Sequence, residues 1–176
     1  MKIAIYGISG SGKSFTAKSL EKKLKDSKFY EGSLLIDKIT DGGLSKFKSM
    51  NDSDKTVIRK KLINYLYKEN EKYKHIIVDG HFSFYKNNDF EIALTDDDVS
   101  FYDHIFYINL PPQFIKELHL KDDNKKREFS VYEIEKWINF EKKEFSAKFK
   151  NNKLTYLSSK DVDFNIKKIK EIISGL

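Results

Sequence analysis

The chain of 176 residues carries no cysteine, which excludes a disulfide framework and a thiolate metal site and suits a reducing compartment. Its formal charge is +6, nearly all from lysine, since Arg59 and Arg127 are the two arginines; the lysines are interleaved with acids, as on a solvated surface, which leaves a nucleic-acid partner possible but not favoured. No apolar run approaches the ~18 residues of a membrane span, and Ile3–Tyr6 is too short for a signal core, so a cytoplasmic protein is expected.

In chain order, the apolar, β-branched run Lys2–Tyr6 predicts a buried strand. A helix follows from Lys13, with Ala17, Leu20 and Leu24 on one face. Ser33–Ile36 reads as the second strand, before a polar loop with Gly42 and Gly43. Asn51-Asp52-Ser53 offer helix caps, and Ile58, Leu62 and Leu66 at spacing four predict a helix over about 54–72. His75–Val78 is the third strand. The stretch 80–103 reads as long and irregular, a kind of segment that tends to be functional, with a solvated helix start at Asp96-Asp97-Asp98 after Thr95. His104–Asn109 is the fourth strand, and Pro111 and Pro112 open a helix through Leu118. Residues 121–128, KDDNKKRE, form a charged break. Ser130 and Glu133 make a capping box for the next helix. Leu154–Leu157 is the last strand, and Ile166, Ile169, Ile172 and Ile173 mark a closing helix that ends near Gly175. Five apolar strands alternating with helices imply one α/β domain, 1–176, whose mostly parallel sheet is covered on both faces.

Residues 7–14, GISGSGKS, offer little apolar side chain to bury. Their spacing, Gly7-x-x-x-x-Gly12-Lys13-Ser14, is the P-loop pattern. In that pattern the glycines let the main chain turn its N–H groups inward, and the helix starting at Lys13 presents its positive end to phosphate. Gly7, Ser9, Gly10, Ser11, Gly12, Lys13, Ser14 and Phe15 are therefore the nucleotide-binding candidates. Lys13 reaches the outer phosphates, and Ser14 is a Mg²⁺ ligand.

With these residues the sequence resembles the small P-loop kinases, the adenylate-kinase-like superfamily of nucleoside monophosphate and small-molecule kinases. The resemblance spans nearly the whole chain. It implies a three-layer P-loop fold with a parallel sheet of order 2-3-1-4-5, an acceptor-binding segment at 37–72 and a small helical lid at 116–135. Asp37, after the presumptive second strand, would face the acceptor as a base or order the metal's waters. Asp79 follows the run His75–Val78 at a strand end, a placement that holds Mg²⁺. Arg127, in the charged break, would swing onto the transferring phosphoryl group. Such lids often carry several arginines, whereas here lysines and His119 surround a single one. His81 and Arg59 are further candidates for acceptor contacts. Phe82, Phe84 and Tyr85 suit either core packing or stacking on a base. Ser158-Ser159-Lys160 occupy the place where related kinases pack against adenine.

The expected activity is Mg-ATP-dependent phosphoryl transfer to a nucleotide, nucleoside or similar small acceptor, with Lys13, Asp37, Asp79 and Arg127 as catalytic residues. A polynucleotide 5′-hydroxyl kinase and a nucleotide-dependent ATPase switch with a protein partner are the alternatives. Neither an N-K-x-D nor a D-x-x-G pattern supports the switch.

Overall fold

A computed structural model describes residues 1–86, 89–123, 125–149 and 153–175. In chain order its elements are β1 (Lys2–Tyr6), α1 (Lys13–Lys23), β2 (Ser27–Glu31), α2 (Gly32–Ile39), α3 (Gly43–Ser49), α4 (Asp52–Asn70), β3 (His75–Asp79), β4 (Ser83–Lys86), β5 (Asp89–Ile92), α5 (Asp96–Phe101), β6 (His104–Ile108), α6 (Pro112–Leu120), α7 (Val131–Lys148), β7 (Leu154–Leu157) and α8 (Val162–Ser174).

Five strands form a parallel sheet of order β2-β3-β1-β6-β7, and β4 and β5 form a separate antiparallel hairpin. Setting the hairpin aside, the sheet strands follow the expected 2-3-1-4-5 order. Alternation along β1 shows why both faces are buried. Ile3 and Ile5 pack with Ala17, Leu20, Ile166 and Ile169 on one side. Ala4 and Tyr6 pack with Leu62, Leu66 and Phe145 on the other. The central strands β1, β3 and β6 therefore read as unbroken apolar runs.

The second strand is not where its hydropathy suggested. Ser33–Ile36 lies in helix α2, with Leu35 buried and Leu34 exposed. The strand is instead the polar SKFYE, at the edge of the sheet, where one neighbour and partial solvation remove the need for an apolar run. Asp37 consequently sits inside α2 rather than directly after a strand. The 80–103 stretch also gains order: the β4–β5 hairpin, and α5 capped by the reciprocal Thr95–Asp98 box. The predicted caps of the two long helices form as read, Asn51 accepting from the Asp54 N–H and Ser130 pairing with Glu133. Among the described residues no helix is long and apolar enough to cross a membrane.

Candidate active site

β1 delivers the chain at Tyr6 into the glycine loop. Gly7, Gly10 and Gly12 take φ of 152°, 76° and 89°, values that favour glycine. Gly12 is the N-cap of α1 and donates no side-chain cap, and the first turn holds no acid. The N–H groups at that helix start therefore remain available to an anion, as the helix dipole favours. Ser11 Oγ, beside them, is buried without a hydrogen-bond partner, as expected of a group suited to a phosphate oxygen. On both counts the loop fits a nucleotide's phosphates.

Lys13 is buried, and its ammonium donates to the Ile8 carbonyl at 2.8 Å. Burial lowers its pKa to about 8, against the raising influence of the Asp79 and Glu141 carboxylates. The Ser14 hydroxyl donates to Asp79 Oδ2, and Oδ1 of the same carboxylate accepts the Gly32 N–H at 3.0 Å. Burial pushes the Asp79 carboxyl above its ordinary range, opposed by Ser14, Gly32 and Lys13. The two predicted metal ligands are thus in contact. Among the described residues no group of three or more carboxylates, imidazoles or thiols is arranged for a metal. A hydroxyl and one carboxylate suit Mg²⁺, which takes much of its coordination from phosphates and water.

Arg127 reaches the loop from the α6–α7 connection. Its Nε donates to Ser9 Oγ at 3.0 Å, and its Nη1 donates to Asp122 Oδ2 at 2.6 Å. His119, near the end of α6, donates from Nε2 to the Ser9 carbonyl at 2.8 Å. Both cover Gly10, where a Cβ would stand 2.4 Å from the His119 ring and 3.3 Å from Arg127 Nε. Burial lowers the His119 pKa, which keeps the imidazole neutral in this contact.

Asp37 and the glycine loop are not brought together by any hydrogen bond. The Asp37 carboxylate accepts the Leu44 N–H at 2.6 Å, capping α3 from a neighbouring helix. The acid at the end of the second strand is Glu31, which pairs in register with Asp79 across β2 and β3. Glu31 is hidden in the sequence because hydropathy sets the second strand at Ser33–Ile36 rather than at Ser27–Glu31. A polar strand followed by Glu-Gly was the available signal.

Arg59 lies over the Phe47 ring at 5.7 Å, and its charge opposes the burial that raises the Asp98 pKa. Burial holds the His81 pKa well down, and the charges of Lys13 and Arg127 act in the same direction. Phe15 stands exposed just past the loop. At the far end Ser158 accepts from the Asn109 amide at 3.4 Å, and Lys160 lies 4.5 Å over the Phe114 ring.

A second buried carboxylate lies within the electrostatic reach of Lys13. Glu141 on α7 is fully buried. Oε1 accepts from the Ser83 N–H at 3.1 Å and the Ser83 hydroxyl at 2.8 Å, and Oε2 accepts from Tyr107 at 2.9 Å. Trp137 Nε1 donates to the same Ser83 hydroxyl at 2.9 Å. This network fastens the start of the hairpin to α7 within reach of the Lys13 charge.

A family model described as "AAA domain" matches residues 6–136, from the end of β1 into α7 and well over half the chain. The chain belongs to this AAA-domain family. The AAA-domain chain also has the fold of the small P-loop kinases it resembles in sequence. The tunicamycin resistance protein of Deinococcus radiodurans superposes with a TM-score of 0.67 at 16% identity, over 98% of this chain and 95% of the other. Shikimate kinase from Bacteroides thetaiotaomicron gives 0.64 at 15% identity, over 99% and 98%. Deoxyadenosine kinase from M. mycoides gives 0.61 at 14%, over the full length of both. No curated protein matches the AAA-domain chain in sequence.

Proposed function

We propose that this protein is a Mg-ATP-dependent phosphotransferase acting on a nucleotide, nucleoside or similar small acceptor. The observation that carries this reading is convergence on one loop: the open start of α1, the buried Lys13 ammonium, the Ser14–Asp79 pair and the Arg127 guanidinium all meet residues 7–14.

Ser14 and Asp79 would hold Mg²⁺, which supplies neutralisation of charge at the phosphates. The loop amides and Lys13 bind the triphosphate. Glu31, beside Asp79 at the strand ends, is placed to take the proton from an acceptor hydroxyl, a role the sequence pointed to at Asp37. Arg127 stabilises charge that builds on the phosphoryl oxygens, through the planar fork that lysine lacks. We take 116–135 as the lid, whose closure excludes water as a competing acceptor. The acceptor segment extends through 37–72 to the Arg59 helix. A cysteine-free chain that works on nucleotides fits the cytoplasm.

The test is label transfer from γ-labelled ATP, with magnesium, to a panel of nucleosides, nucleotides, oligonucleotides and small metabolites, with Lys13→Ala as control. Transfer that disappears in the control is expected. ATP turnover that survives Lys13→Ala, or no measurable affinity for any nucleoside triphosphate, would overturn the reading.

A further inference from the structure

The three aromatics after Asp79 separate in the structure. Phe82 is fully buried against Phe145, with ring centroids 4.2 Å apart. Along β4, Ser83 and Tyr85 turn inward, at 0% and 9% exposure, while Phe84 turns out at 40%. Strand geometry forces this opposition, since successive side chains leave opposite faces. The inward residues are pinned: Ser83 by Glu141 and Trp137, and Tyr85 by Phe90 at a ring distance of 5.0 Å. Phe84 is thus an exposed ring on a fastened strand.

A single exposed phenylalanine is ordinary on a protein surface. This one is continuous with the proposed reaction centre. The His81 ring lies 5.1 Å from the Phe84 ring at 36°. His81 stands two residues beyond Asp79, within the electrostatic reach of Lys13 and Arg127, and keeps its Nδ1 buried without a hydrogen-bond partner. At the outer end, Phe84 pairs across the hairpin with Glu91. Glu91 accepts from Lys55 at 3.0 Å, and the Lys55 side chain is only 13% exposed. Lys55 lies in the first turns of α4, the helix that carries Arg59. The two rings therefore run from the Asp79 end of the sheet to a bridge that ties the hairpin to α4.

We propose, on the kinase reading above, that the acceptor carries a planar aromatic ring of nucleobase size, which stacks on Phe84 beside His81. The arginine count supports a neutral ring over a sugar acid. Of the two arginines in the chain, Arg127 is engaged by Ser9 and Asp122, and Arg59 lies over the Phe47 ring. Stacking needs a π face, which every nucleoside has and a polyol or sugar acid lacks.

Equilibrium dialysis tests this with the donor site filled by Mg-ADP. The probes are adenosine, cytidine, guanosine and thymidine, with gluconate and shikimate as ring-free or non-aromatic controls. At least one nucleoside should be retained, and Phe84→Ala should weaken it roughly ten- to hundredfold. Phe84→Leu should do the same, because it keeps bulk without a π face, whereas Phe84→Trp should hold affinity. Thermal melting of each variant reports that the fold survives. Equal retention by wild type and Phe84→Ala overturns the inference, as does no retention of any nucleoside by protein that binds Mg-ADP. Transfer to gluconate or shikimate with KM unmoved by Phe84→Ala overturns it while the kinase reading stands. Phe84-dependent retention of a nucleoside that is never phosphorylated upholds the stacking site and removes the kinase reading.

Discussion

Glu31 and Asp79 stand side by side at the carboxyl ends of β2 and β3, directly paired in register, and the charge of Glu31 adds to the forces that raise the Asp79 pKa. One carboxylate is committed to Ser14 and Gly32, while Glu31 accepts from the Ser33 hydroxyl at 3.1 Å and lies 4.0 Å from Lys18. Glu31→Gln should lower kcat by roughly 10²–10⁴-fold, the usual worth of a positioned base. Asp37→Ala should leave kcat nearly intact and cost about 1 kcal/mol of stability, as for a lost helix cap. Steady-state kinetics and urea melts on the two variants check this. The reverse ranking would return the base to Asp37.

Arg127 is held at Ser9 by one nitrogen and at Asp122 by another. Arg127→Ala should lower kcat by about 10³-fold or more. Arg127→Lys should rescue little, because an ammonium cannot serve two oxygens in a fixed plane. Kinetics across a range of ATP concentrations would separate this from a loss of binding, which should appear in KM alone.

Gly10 has φ of 76° with the His119 ring immediately above it. Gly10→Ala should cost about 1–3 kcal/mol from backbone strain alone. It should also displace His119 from the Ser9 carbonyl and weaken ATP binding. Gly12→Ala makes a useful comparison: it shares the positive φ, but nothing lies within 4 Å of the new Cβ. ATP titrations of both variants would show whether the His119 contact matters beyond the strain.

Glu141 predicts a pH dependence. Burial raises its pKa above the usual glutamate range, against the hydrogen bonds from Ser83 and Tyr107. The native state therefore holds this proton where the unfolded chain has already lost it. The stability it contributes is full below the unfolded value and declines as pH rises toward the native one. Glutamine does not titrate, so Glu141→Gln should gain on wild type as the pH is raised from about 4.5 to about 7. Urea denaturation at both values measures the gap. Glu141→Ala should be worse at every pH, because it strands the Tyr107 hydroxyl and the Ser83 N–H, at roughly 1–3 kcal/mol for each buried group left unpaired.

The sequence alone determined the glycine loop, the central strands and the capped helices. Those signals are local: Gly7 to Ser14 is a backbone pattern, β1, β3 and β6 are apolar because neighbours cover both their faces, and Ser130 and Glu133 cap each other within one turn. It also set Asp79 at a strand end beside that loop. Only the tertiary structure decided which acid accompanies it. An edge strand needs little hydropathy, so SKFYE was hidden behind the more apolar SLLI, and the position assigned to Asp37 belongs to Glu31. The outward turn of Phe84, the burial of Glu141 and the docking of His119 and Arg127 on Ser9 join residues 54 to 118 positions apart. Contacts at such separations follow from how helices and sheet pack, and no local pattern encodes them.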